Sequence, residues 1–163
     1  MVTFKGAPLT LQGTLIQVGQ RAPDFSVVTP DMKTLSLKDF QGQVLVISTV
    51  PSIDTAICSL QSQHFEKEAK AMPSVKFLTI SLDLPFALGR FAKEVSCTEM
   101  PLASDYKERI FAKNYGLLIE GLYLLARAVI IVDQSGRIAY LQLVSEMTHE
   151  PNYEDIIRTL KSM

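Results

Sequence analysis

The chain carries two cysteines, Cys58 and Cys97, and two histidines, His64 and His149. Cys58 ends the run Pro51-Ser52-Ile53-Asp54-Thr55-Ala56-Ile57-Cys58, which lies between a continuous apolar stretch and a segment of helical periodicity. It therefore falls in or near a first helical turn. Backbone N–H groups there have no partner within the helix, and the positive end of the helix dipole favours a thiolate. A thiolate so placed is a nucleophile. A free cysteine is also, commonly, a small buried hydrophobe, and position alone does not separate the two readings. His64 lies six residues after Cys58, off the i+3/i+4 positions that share a helix face, so it is a poor base for that sulfur. Asp54 suits a helix cap better than catalysis, because an acid disfavours a neighbouring thiolate.

Other chemistries find little support. The two histidines are far apart and the cysteines are too few for the usual structural zinc patterns, so no metal site is expected. Walker loops, dinucleotide fingerprints and Gly-x-Ser-x-Gly elbows are absent. With 16 Lys and Arg against 17 Asp and Glu, and no basic stripe, nucleic-acid binding is not expected. No run approaches the roughly 18 apolar residues of a membrane span. The opening MVTFKGAPLTLQG alternates polar and apolar residues, unlike a signal peptide, so the expected location is the cytoplasm. In that reducing compartment the two cysteines are not expected to form a permanent staple.

The 163 residues fit one domain, 1–163, with enough chain to bury a core. Val2 to Phe4, a turn over Lys5 to Pro8 and Leu9 to Leu11 read as a hairpin, within an N-terminal extension over residues 1–18. A second strand pair is expected from Leu15 to Val18 and Ser26 to Val28. The β-branched run Val44 to Val50 suits a strand buried on both faces, and Pro51 ends it. A helix from about Cys58 to Ala71 and a strand over Val75 to Leu82 come next. Asp83 is a possible cap for a helix over Pro85 to Val95, with a loop near Ser96 to Thr98. A short strand near Met100 to Ala103 and a helix from Lys107 to Tyr115, capped by Gly116, follow. Ala128 to Val132 and Ile138 to Val144 flank the hairpin signal Asp133-Gln134-Ser135-Gly136, and a last helix runs from Pro151 to Leu160. This order predicts a thioredoxin-like α/β fold with a central mixed sheet, flanking helices and the N-terminal β-hairpin extension.

PSIDTAIC resembles the peroxidatic motif Pro-x-x-x-Thr-x-x-Cys of peroxiredoxins, in the form typical of the bacterial thiol peroxidases, an atypical two-cysteine subfamily. The similarity continues through VTFKG, VGQRAPDF, ISLDLPFALGRF, LLARAVIIVD and EPNYED. It implies that Cys58 is the peroxidatic cysteine attacking hydrogen peroxide and organic hydroperoxides, with no metal, haem or flavin. It further implies that the Thr55 hydroxyl bonds thiolate and peroxide, that Pro51 shapes and shields the loop, and that Arg127 sets its planar fork beside sulfur and peroxide. Reduction by thioredoxin and a homodimer are implied as well. Each residue has a plainer reading: Thr55 as a helix cap, Pro51 as a strand terminator, Arg127 as a strand residue reaching solvent.

One departure stands out. The resolving cysteine of the subfamily follows an Arg-Phe or Arg-Trp pair, and here Ala92 follows Arg90-Phe91. Cys97 lies five residues further on. Either Cys97 has taken over the resolving role, condensing with a Cys58 sulfenic acid after local unwinding, or it is a bystander and an external thiol completes a one-cysteine cycle. The first is the expectation, since no other cysteine exists. A thiol–disulfide exchange protein would carry Cys-x-x-Cys, whereas Thr55 and Gln61 flank Cys58 at that spacing. A non-catalytic thioredoxin-fold sensor or binding domain remains the rival from another class.

Overall fold

In the computed structural model, which describes residues 1–163, the N-terminal strands β1 (Val2–Phe4) and β2 (Ala7–Leu9) pair antiparallel with Val2 opposite Leu9. Their turn is Lys5-Gly6, at φ of 49° and 82°. The hairpin is tighter than the expected four-residue turn because a two-residue turn with positive φ matches the twist of its strands, and Gly6 adopts that φ without a clash. Strand β3 (Leu11–Gln12) pairs with Leu118–Ile119, far along the chain. Leu15 to Val18 form no ladder, contrary to the sequence expectation. That segment is pinned to a helix end instead: Ile16 is buried and its N–H donates to the Tyr115 carbonyl at 3.3 Å. Gly116 permits the approach, since a Cβ there would lie 2.3 Å from the Thr14 carbonyl oxygen.

Strand β4 (Ser26–Val28) takes β5 (Thr34–Ser36) as its hairpin partner. There follow β6 (Val44–Thr49), α1 (Ala56–Ala71), β7 (Val75–Ser81), α2 (Pro85–Glu94), β8 (Leu102–Ser104), α3 (Ile110–Tyr115), β9 (Leu118–Ile119), β10 (Ala128–Val132), β11 (Ile138–Leu143) and α4 (Tyr153–Lys161). Seven strands form one sheet in the order β11-β10-β6-β7-β8-β4-β5. Its centre, β6-β7-β8, is parallel, and the outer pairings are antiparallel. Val46 to Thr49 and Phe77 to Ser81 are covered on both faces, which is why both strands read as nearly continuous apolar runs.

The period of two along each strand divides the core. Leu45, Ile47, Ala128 and Ile130 pack with α3 and the N-terminal segment. Val46, Val50, Val129 and Ile131 pack with Phe65 and Ala69 of α1, Leu88 and Phe91 of α2, and Ile156 and Leu160 of α4. Cys58 belongs to this second layer. No helix is long and apolar enough to cross a membrane.

Candidate active site

Where β6 ends, the chain turns through Pro51 to Asp54 into α1, and Thr55 is the N-cap: its hydroxyl oxygen accepts the Cys58 N–H at 3.3 Å. Cys58 is thus the third residue of α1, inside the first turn as the sequence predicts. The same hydroxyl donates to the Ser52 carbonyl at 3.3 Å. In this state Thr55 therefore serves as the cap of its plainer reading, its proton given to the Ser52 carbonyl. Pro51 is buried and Cys58 is 0% exposed.

Asp83 holds this loop, rather than capping α2. Its carboxylate accepts from Ser52 Oγ at 2.8 Å, the Ile53 N–H at 2.9 Å and Ser81 Oγ at 2.7 Å. Leu84 is the N-cap residue of α2, with Pro85 in the first turn where its missing N–H costs nothing. From outside, Arg90 of α2 reaches Asp54 at 2.8 Å. Asp54 is accordingly an exposed ion-pair partner and not a cap.

Arg127 immediately precedes β10 and is 1% exposed, so it does not reach solvent. Its Nη2 donates to Cys58 Sγ at 3.4 Å and to the Met147 carbonyl at 2.8 Å, and its Nη1 donates to Gln61 Oε1 at 2.8 Å. Gln61 in turn donates to Ser48 Oγ at 2.7 Å. Thr49 fixes the backbone on both sides of the arginine, donating to the Ala126 carbonyl at 2.7 Å and accepting the Ala128 N–H at 2.9 Å. The Met147 carbonyl is held from the N-terminus: the Met147 N–H donates to the Thr3 carbonyl at 2.9 Å. Glu146 accepts from Thr3 Oγ1 at 2.7 Å and from the N–H groups of Lys5 and Gly6. Those bonds, that of Thr3 first, hold the Glu146 carboxyl down at about 2.

Cys97 lies just past α2, as expected. The helix ends in a Schellman turn: the Cys97 N–H donates to the Ala92 carbonyl at 2.8 Å, and Ser96 takes a left-handed φ of 52°. Its thiol donates to Glu66 of α1 at 3.4 Å. Glu66 is eight residues beyond Cys58, or about 12 Å along the helix at ~1.5 Å per residue. Both cysteines are free and they are not within disulfide distance. Burial, and then the Glu66 charge, push the Cys97 thiol up to about 12.

Comparison with known proteins fits this geometry. The Redoxin family model matches residues 17–157. The thiol peroxidase of Streptococcus parasanguinis is 43% identical over 161 residues, covering 99% of this chain and 98% of its own. That of Bacillus subtilis (strain 168) is 41% identical over 162 residues, covering 99% and 97%. The chain belongs to the redoxin family, among the thiol peroxidases. The crystal structure of a peroxiredoxin-like protein from Aquifex aeolicus superposes with a TM-score of 0.93 at 41% identity, over 99% of this chain and 95% of that one. The thiol peroxidase from Chromobacterium violaceum shares the fold, with a TM-score of 0.90 at 23% identity over 99% and 95% of the two chains. The fold of this redoxin is thereby the thioredoxin-like one expected from its element order.

Within this redoxin, Thr55 and Arg127 meet Cys58, Pro51 is buried in the loop that leads into α1, and Cys97 stands apart. His64 is also elsewhere, stacked on Tyr153 with ring centroids 3.7 Å apart. No group of three or more His, Cys, Asp and Glu side chains is arranged to hold a metal ion. Sequence reasoning passed over Gln61, Glu66 and Glu146, and read Asp83 only as a possible cap. Gln61 and Glu66 carried a signal, being polar residues at i+3 and i+8 from Cys58 on the face of α1 that also buries Phe65 and Ala69. The loop-holding role of Asp83 and the tie of Glu146 to the N-terminal hairpin carried none, because the partners that define them, Ile53 and Gly6, are 30 and 140 residues away.

Proposed function

We propose that this thiol peroxidase reduces hydrogen peroxide and organic hydroperoxides through Cys58 as the peroxidatic nucleophile. The observation that carries this reading is Arg127: a cation 1% exposed, in none of the ion pairs of the fold, with Nη2 3.4 Å from the Cys58 sulfur. A buried charge without a counterion is costly, and a thiolate at Cys58 supplies the counterion. The helix N-terminus adds a second stabilisation of negative sulfur.

In the first step the Cys58 thiolate attacks one peroxide oxygen. The S–O bond forms as the O–O bond breaks, and the departing hydroxide or alkoxide takes up a proton. Arg127 is the donor for the charge developing on those oxygens. Thr55 turns its hydroxyl from Ser52 to the incoming peroxide, while Pro51 and Asp83 keep the loop in shape. Because Cys58 is fully buried, access requires the first turn of α1 or the loop before it to open.

In the second step the Cys97 thiol condenses with the Cys58 sulfenic acid, forming the S–S bond and releasing water. A dithiol protein, thioredoxin in this reading, then reduces the disulfide. The cycle fits a cytoplasmic homodimer of one folding unit per chain. A one-cysteine cycle resolved by an external thiol is favoured by one observation, the docking of Cys97 about two helical turns from Cys58.

The test treats the reduced protein with one equivalent of hydrogen peroxide and follows intact mass with peptide mapping. Loss of two hydrogens with a Cys58–Cys97 crosslink supports the two-cysteine cycle. Oxygen retained at Cys58 without a crosslink supports the external thiol. Peroxide turnover that survives Cys58→Ser would overturn both.

A further inference from the structure

The Glu66 carboxylate sits at the hub of the Cys97 loop. Its residue is only 5% exposed, although it lies on a helix surface. It accepts the N–H groups of Thr98 at 2.8 Å, Glu99 at 3.0 Å and Met100 at 2.8 Å, the Thr98 hydroxyl at 3.2 Å and the Cys97 thiol at 3.4 Å. Its one cationic neighbour, Lys70, is 3.3 Å away and half-exposed. Burial works against the charge, but the N–H bonds from Glu99, Thr98 and Met100 prevail and hold the carboxyl at about 2. Four consecutive residues are thus tied to α1 by one ionised side chain.

The loop is restrained on its other side as well. Ser96 holds φ at 52° in the Schellman turn that ends α2, a conformation disfavoured for a residue with a Cβ.

We propose that Glu66 is a positioning residue that latches the Cys97 loop in the reduced enzyme, so that loop release from Glu66 limits disulfide formation. This rests on the reading of Cys97 as the resolving thiol. While latched, Cys97 is remote from Cys58 and remains a hydrogen-bonded thiol. The Cys58 sulfenic acid then persists long enough to meet a second peroxide, which transfers one oxygen to give the sulfinic acid and leaves as water or alcohol. The strength of the latch divides the enzyme between disulfide and over-oxidised product.

Glu66→Gln tests this, because its amide sets an NH₂ donor against N–H donors where the carboxylate has only acceptors. Stopped-flow measurement separates Cys58 oxidation, second order in peroxide, from the first-order condensation with Cys97. The expected result is condensation about tenfold faster or more, as loss of a charge-assisted bond implies, with less sulfinic acid at high peroxide. Thr98→Ala removes one hydroxyl donor and leaves the carboxylate, so it shifts condensation the same way by a smaller factor. That second variant decides the matter should Glu66→Gln fail to fold. Unchanged or slower condensation, in folded variants whose 98–100 amides exchange faster with solvent, would overturn the latch. Absence of any Cys58–Cys97 disulfide in the unmodified enzyme would instead overturn the resolving role itself.

Discussion

The Arg127 guanidinium and the Cys58 sulfur lie 3.4 Å apart although 69 residues separate them in the chain. The arginine's other hydrogen bonds go to a neutral amide, Gln61, and a backbone carbonyl, Met147. A cation held by neutral acceptors keeps its full charge for the one neighbour able to become an anion. Arg127→Lys retains the charge but cannot reach sulfur, Gln61 and Met147 at once. We expect the second-order rate of Cys58 oxidation to fall about 10²- to 10³-fold, the usual effect of losing one well-placed donor. Competition kinetics against a reference peroxidase measures it, and a loss below threefold would remove Arg127 from the chemical step.

Asp83 is the anchor of the loop before Cys58, with three donors on two oxygens. Asp83→Asn sets an NH₂ group against one of those donors. A stability loss of about 1 to 3 kcal/mol is expected, as for a buried polar group left unsatisfied. Faster hydrogen exchange confined to 51–55, with slower peroxide reaction, is the signature. Exchange spread evenly over the sheet would mean that the anchor is only structural.

Ser62 is 0% exposed and its hydroxyl has no hydrogen-bond partner. Such a group costs about 1 to 3 kcal/mol. Ser62→Ala is therefore expected to raise the urea midpoint of the reduced protein, by about 1 kcal/mol in stability, with some help from the helix propensity of alanine. Destabilisation would show that the hydroxyl is satisfied in solution.

Acid titration of stability has opposing limbs. Burial, only partly offset by N–H bonds from Ala112 and Phe111, raises the Asp105 carboxyl from 3.8 to about 6. A raised acid binds its proton more tightly in the folded state, so its contribution is full below pH 3.8 and is lost as pH rises through about 6. Two units correspond to about 3 kcal/mol. Glu66 and Glu146 have the opposite sign: held at about 2, they contribute fully above 4.5 and lose that as pH falls toward 2. Stability of the unmodified protein is expected to rise on acidification from pH 7 to about 4.5 and to fall below it. Urea titrations at each pH, with Asp105→Asn flattening the upper limb, check both signs.

Much of this protein is legible one element at a time. The β-branched run of β6, the cysteine in the first turn of α1, the turn at Asp133 to Gly136 and the left-handed cap at Gly116 follow from side-chain period, capping and backbone sterics, which act over a few residues. The motif around Cys58 is equally local. What no window could supply is who meets whom across the sheet. Arg127 reads as a strand residue with an even claim to solvent, and only the pairing of β10 between β6 and β11 buries it beside Cys58. Leu15 to Val18 read as a strand, yet the Ile16 N–H is taken by the end of α3, because Gly116 lets the segment come close. Asp83 has the makings of a cap and becomes the loop anchor, since Ser52 and Ile53 arrive from the neighbouring strand end. Local sterics choose the elements; the competition among distant donors, acceptors and apolar faces for burial decides the site.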